Sequence, residues 1–465
     1  MLPFETQAFI RTAYGILLLI ELLLILPFSK VYFTSGRYGG CVESSKWADR
    51  LLTPQGYVIL MALWIPSAVM IAVGFAPLFF TAINFLFCYT FFVRMRWTSL
   101  TRGMGAPGLV PTWLAALVMF LEYASYCGDP EGKFRALVIL AFQFDFAIMM
   151  IDSGTNKIMH GFGKNLGVNY GTANPAWGYW WKFFKNFEPH HGVHRLINHF
   201  SYFFQILGGI FMLIPGIRWM GAFLICAGFF GVKTLIRLGV LCDMLMLITV
   251  LYTSGEGWMH QALLRFMSPV SADFMGMYQA PGWILTVLSA GLWTYMVLLP
   301  LSKLGMYRNF YGKKSWPPKI QKFLEVFTNT FGIILWRVFT IETVDFFVKV
   351  QFEDRKTKKR TLFTRFGPWQ PGGNNRFIWV GESLMTNVVF NTERFFPHTD
   401  LLRKRLLRYA RTMTPPPDSR VIFEYVVLVP DEKKFHFISA KEFRVDLEKA
   451  QIEREKKTLT HQRNL

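Results

Sequence analysis

The sequence predicts a polytopic α-helical membrane bundle of about nine spans, with an interfacial or re-entrant segment, followed by a small β-rich C-terminal domain. Three observations carry this. Of 465 residues, 52% are hydrophobic and 17% charged, against about 25% charged in ordinary soluble domains. The apolar residues fall in long blocks rather than amphipathic stripes, and a hydrocarbon slab takes blocks of about 20 residues to cross. After Lys303 the composition changes abruptly to basic, β-patterned sequence. Disordered and collagen-like chains are excluded, and a soluble enzyme does not fit.

In chain order, the apolar blocks lie near 7–28, 57–73, 78–94, 109–126, 136–152, 197–214, 217–236, 238–254 and 283–303. The first lacks a basic flank and a small-residue cleavage site, so it reads as a retained helix rather than a signal peptide. The second and third form a hairpin around Gly74, Ala76 and Pro77, and the sixth and seventh turn at Pro215-Gly216. Residues 1–303 are thus a transmembrane helical domain. Residues 304–340 are a linker, with Lys313-Lys314 and Pro317-Pro318, and an amphipathic helix over 319–337 whose apolar side holds Phe323, Val326, Phe327, Phe331, Ile334 and Leu335. Residues 341–440 read as a β-rich extramembrane domain, with strands at 346–352, 360–366, 376–380, 421–429 and 434–439 and a basic helix at 399–412. Residues 441–465 read as a charged helical tail, helical over 441–457.

The net charge of +20 flanks hydrophobic spans or lies in the tail, which points to topology and anionic lipid headgroups rather than nucleic acid. Alternating sides through nine spans gathers Lys30, Arg94, Lys157, Lys182, Arg195 and Arg237, with many others, on one face. The opposite face receives little more than Arg11, Lys133, Arg135, Arg218 and Arg265. The positive-inside rule makes the first face cytoplasmic, as in an integral protein of a bacterial inner membrane, with the C-terminal domain inside. Cys41, Cys88, Cys127, Cys226 and Cys242 show neither disulfide-scaffold nor zinc spacing. Gly103 to Gly108 fits G-x-G-x-x-G but follows a membrane helix instead of a strand, so it is no nucleotide site.

Ionisable residues inside apolar spans are candidates for function, or for structural pairs between helices. Glu21, Glu122, Asp145, Asp152 and Asp243 qualify, with Arg94, Arg96 and Arg237 as expected partners. Asp145 and Asp152, seven residues apart, share one helix face. The fifth span ends in Asp152-Ser153-Gly154-Thr155-Asn156-Lys157-Ile158-Met159-His160. A lysine at such a rim is either a snorkelling side chain or, stripped of water, a base. The cluster around Trp177 suits the headgroup interface or walls a flat or lipidic ligand. His190 and His194 have a helical i,i+4 spacing, yet no cysteine or acidic partner completes a metal pattern, so no metal site is expected.

The run into Ser153-Gly154-x-x-Lys157-Ile158, the Trp-bearing segment after it, Asn174-Pro175 and Asn198-His199-Phe200 resemble the horizontally transferred transmembrane domain family, which includes the vitamin K-dependent gamma-glutamyl carboxylases, and are similar to lipase maturation factors. The tail from Trp336 to Thr340, through Phe347 to Val350, and on to Leu402-Arg403 and Tyr409-Ala410-Arg411 is similar to that group's β domain. The resemblance implies Lys157 as the base that deprotonates a quinol, with Asp152 and His160 beside it, and Asn156, Trp177, Asn198 and His199 around a quinone, quinol or lipid. Where the carboxylases carry an Asn and a His this chain has Arg96 to Arg102, and Gln205 stands where an acidic residue is often found. The same resemblance therefore also accommodates a non-catalytic accessory or scaffold subunit of a larger membrane complex, or a maturation factor holding a protein client. In the carboxylases the lysine and β domain face the lumen, so the resemblance and the charge rule agree on relative placement and differ on absolute orientation.

Overall fold

The computed structural model describes residues 4–26, 29–40, 42–94, 105–126, 132–252, 282–313, 316–336, 344–363, 399–411, 413 and 415–447. Among them, seven helices are long and apolar enough to cross a membrane. They are α1 (Phe4–Ile25), α2 (Gly56–Val73), α3 (Pro77–Cys88, continued by a π turn to Arg94), α4 (Gly105–Tyr126), α5 (Lys133–Met159), α6 (Gly192–Leu213) and α9 (Gly282–Phe310). The other two expected blocks form α7 (Arg218–Leu235) and the short α8 (Leu241–Ile248), which a 3-10 turn extends to Tyr252. Neither belongs to the seven, so among the described residues seven of the nine expected blocks form helices long and apolar enough to cross.

Punctuation falls where glycine and proline dictate. Gly74 closes α2 at φ 78° and Pro77 opens α3, a position where its missing N–H costs nothing. Gly216, at φ 89°, turns α6 into α7. The helices pack through small residues, which let backbones approach closely. A Cβ on Gly221 would stand 2.5 Å from the Gly208 carbonyl oxygen, and one on Gly154 would stand 2.5 Å from Ile206 Cγ1. The second contact presses α5 against α6.

Helices α5 and α9 run parallel, their contacts stepping from Asp145–Tyr295 to Asp152–Lys303 to Asn156–Tyr307. The amphipathic segment then doubles back. Helix α10 (Pro318–Phe331) lies antiparallel along α9: Gln321 accepts from Asn309, and Phe331 meets the Tyr295 ring at 5.2 Å. Gly332 caps it at φ 69° and the chain returns without helical structure through Ile333 and Ile334 to Trp336. The helix is shorter than the expected 319–337, and Ile334 and Leu335 lie beyond its end.

The C-terminal region is a four-stranded antiparallel sheet in the order β2-β1-β3-β4. Its strands are β1 (Phe346–Asp354), β2 (Arg360–Leu362), β3 (Ser419–Pro430) and β4 (Phe435–Val445). Helix α11 (Thr399–Arg411) buries Leu402, Leu406, Tyr409 and Ala410, and the Tyr409 ring lies 5.9 Å from Phe423 of β3. The helix expected from 441 is instead strand as far as Val445, because Val421 to Tyr425 of β3 pair with residues 441–445. The expected strand at 376–380, Arg96 to Arg102, Cys41, Cys127 and the tail from 448 lie outside the described residues.

The sheet is bolted to the segment between α5 and α6. Asn174 Nδ2 donates to the carbonyls of Val344 at 2.7 Å and Phe346 at 2.8 Å, and the Phe435 N–H donates to Lys185 at 2.9 Å. Lys157 and the β domain therefore share one end of the bundle, as both topological arguments require. Substituting Gly154 by Val should destabilise the purified protein by about 1–3 kcal/mol through overpacking, read as a lowered Tm in detergent; an unchanged Tm would show that α5 and α6 are not in such contact.

Candidate functional site

The last two turns of α5 present two polar faces. Asp152 and Asn156, four residues apart, look toward α9; Ser153 and Lys157, also four apart, look toward α6, as a 3.6-residue turn requires.

On the first face every group is engaged. Asp152 Oδ2 takes Lys303 Nζ at 2.7 Å and the Trp336 N–H at 3.0 Å, while Oδ1 takes Tyr307 Oη at 2.7 Å and Asn156 Nδ2 at 3.0 Å. Tyr311 donates to Asn156 Oδ1 at 2.6 Å. Lys303 also donates to the Ile334 carbonyl. Asp152, Asn156 and Lys303 are all buried. His160 caps α5 half-buried, its Nδ1 2.7 Å from the Asn156 carbonyl oxygen. The cluster is a structural clasp, and its cation is Lys303 rather than the expected Arg94, Arg96 or Arg237.

On the second face, Lys157 is 4% exposed. Its Nζ donates to Gln205 Oε1 at 2.9 Å and to the Ser201 carbonyl at 3.2 Å, with the Phe162 and Phe204 rings each 5.8 Å away. Among the described residues it has no carboxylate partner. It lines a cavity of about 260 Å³ between α5, α6, α7 and α8. The walls are apolar apart from Lys157, Gln205, Ser153, Ser201 and the indole N–H of Trp336. Leu196 and Phe200 line the cavity yet are 69% and 46% exposed, so it opens between α6 and α7 on the outer face of the bundle.

Of the candidate catalytic and ligand-binding residues expected from the sequence, Lys157 alone lines this cavity, together with Ser153, Gln205 and Trp336 from the segments that carry the resemblance. Asn198 acts behind it: its Oδ1 accepts from Val168 N at 2.7 Å and its backbone carbonyl takes the Ser201 hydroxyl at 2.8 Å. His199 meets Tyr202 Oη at 2.5 Å. Trp177 is buried where 177–180 runs beside 234–237, its carbonyl accepting from Arg237 N at 2.8 Å. His190 falls in a turn before α6, so the i,i+4 pair with His194 is not formed; His191 caps α6 and His194 Nδ1 approaches the Glu188 carbonyl at 3.2 Å. Among the described residues no three His, Cys, Asp or Glu side chains gather to hold a metal ion. Burial and the nearby Asp345 carboxylate push Tyr170 up to about 12, so that phenol is neutral at physiological pH.

Three of the other acids singled out have partners the sequence did not name, whereas Glu21 is buried with its Oε2 unbonded. Glu122 accepts from Arg11 at 3.4 Å and Gln7 at 3.3 Å, Asp145 from Trp113 at 2.9 Å and Tyr295 at 2.8 Å, and Asp243 pairs with Lys233. Sequence reasoning missed Lys303, Tyr307, Tyr311 and Trp336 at the clasp. A signal was there: Tyr295, Lys303, Tyr307 and Tyr311 repeat at multiples of four along α9, matching the polar face of α5.

Breaking the clasp from one side should cost far more than removing it whole, because a single deletion strands a buried charge. Lys303→Met should destabilise by roughly 3–5 kcal/mol, and Asp152→Asn combined with Lys303→Met by clearly less. Thermal unfolding in detergent reads both, and additive losses would contradict a coupled pair. Compared with protein-family models, curated proteins and solved structures, the chain matches none.

Proposed function

We propose that this is an integral membrane protein that admits a lipid-soluble molecule from the bilayer to Lys157, which serves it as a proton acceptor. Two properties support membrane embedding. The outward faces of the long helices carry large apolar side chains, among them Ile59, Leu63, Phe79, Phe203, Trp283 and Val287, all more than half exposed. Such a surface suits lipid and not water. Asp152 and Glu122 inside the bundle are paired with Lys303 and Arg11, and Asp145 is hydrogen-bonded to Trp113 and Tyr295, as expected of ionisable groups at membrane depth.

The observation that carries the chemical reading is the setting of Lys157. A neutral amine has two N–H groups, and Gln205 Oε1 and the Ser201 carbonyl accept both. The lone pair is then left for the cavity, where an O–H group of a bound molecule meets it. Gln205 and Ser201 orient the amine, the apolar walls exclude water, and Phe200, Phe229 and Trp336 offer surfaces for a flat ring. The carboxylase resemblance supplies a substrate class, a quinol, whose hydroxyl would give its proton to Nζ. By the charge rule, the shared end of Lys157 and the β domain faces the cytoplasm of a bacterial inner membrane.

A second reading, a non-catalytic subunit or a factor holding a protein client, draws on Gln205, which stands where the carboxylases often have an acid. Both readings are testable. In proteoliposomes supplied with a reduced naphthoquinone, Lys157→Ala should lower quinol turnover by roughly 10²–10⁴-fold, the usual worth of a general base. Equal turnover in wild type and variant would refute the base, and co-purification of partner subunits without turnover would favour the scaffold. A C-terminal fluorescent-protein fusion should be bright and an alkaline-phosphatase fusion inactive; the reverse would place the β domain outside.

A further inference from the structure

The Lys157 cavity has a chemical bias that goes beyond proton acceptance. Each buried acid of the clasp and of the α1–α4 contact has a cation, Asp152 with Lys303 and Glu122 with Arg11. Lys157 has neutral acceptors alone, and it is the one charged side chain among the described residues lining the cavity. An ammonium in apolar surroundings is costly without an anion. The described residues supply none, so a ligand that protonates the amine also supplies its anion.

The shape of the opening identifies the source. Leu196, Phe200 and Gly231 border the gap between α6 and α7, and nothing beyond the backbone of its own helix lies within 4 Å of where a Cβ on Gly231 would stand. A molecule entering there comes sideways from the hydrocarbon and brings an apolar body. A single cation suits a monoanionic carboxyl head, whereas a doubly charged phosphate head would call for a second cation, which the described walls do not provide.

We propose that the cavity binds an unesterified long-chain fatty acid, its carboxyl group against Lys157 Nζ and its chain along the walls formed by α6, α7 and α8. This rests on reading the cavity as a ligand site open to the bilayer. On binding, the carboxylic O–H bond breaks and an N–H bond forms at Nζ, leaving a carboxylate–ammonium pair with no other reactant consumed. Such an acid occupies the position of the proton donor and so blocks Lys157 toward any other substrate.

The full-length protein in lipid nanodiscs, titrated with oleic acid, methyl oleate and oleyl alcohol and read by native mass spectrometry, tests this. Oleic acid should bind at one per protein, roughly tenfold tighter than the ester or the alcohol, a difference of about 1.4 kcal/mol. Lys157→Met should bring the three ligands within about twofold of one another, and Gly231→Trp, which fills the opening, should weaken all three. Equal binding of acid, ester and alcohol to the wild type would overturn the carboxylate assignment while leaving the apolar site standing. Binding of none of them above the Gly231→Trp level would overturn the ligand cavity as well.

Discussion

A backbone that leaves its helix inside an apolar bundle needs donors and acceptors from the protein itself, since no water is there to supply them. Asp152 and Lys303 do this for the non-helical return after α10. The carboxylate accepts the Trp336 N–H while the ammonium donates to the Ile334 carbonyl, and each balances the other's charge. This exchange lets the amphipathic helix α10 fold back along α9 and deliver Trp336 to the wall of the Lys157 cavity. The β domain begins at Val344, eight residues further on, so the clasp also sets where that domain is tethered.

The end of α5 consequently divides its labour between two faces. The side of Asp152 and Asn156 is saturated with hydrogen bonds and ion pairing, which gives it a structural role. The side of Lys157 is held by two neutral acceptors and, among the described residues, has no counter-ion. Desolvating a charge is tolerable in a bundle when a partner is fixed beside it, and costly when none is. That contrast between two lysines at similar burial, Lys303 paired and Lys157 unpaired by any carboxylate, is the physical ground for assigning chemistry to Lys157.

Much of this was legible in the sequence because the relevant signals are local. Apolar blocks, the Gly74–Pro77 and Pro215–Gly216 turns, alternation in β1 and β3, and the seven-residue spacing of Asp145 and Asp152 each act within a few residues of themselves, and the described structure follows them. What was not legible depends on partners far apart in the chain. Lys303 closes on Asp152 from 151 positions away, and Asn174 reaches the first strand over 172. Nothing near Arg237 or Arg94 announces that an acid will choose a different cation. The stretch from Lys441 misled for another reason: its charges suit a solvated helix, but they occupy exposed positions of a strand held by main-chain pairing to β3.

The central claim is that Lys157 meets a molecule drawn from the bilayer in a cavity walled by α6, α7 and Trp336. A cryo-EM map of the protein purified into lipid nanodiscs addresses it most directly. The account predicts a lipid belt around the long helices and an elongated density in the cavity, ending within hydrogen-bonding distance of Lys157 Nζ. A cavity closed by its own side chains, with Lys157 paired to a carboxylate of the chain, would contradict it.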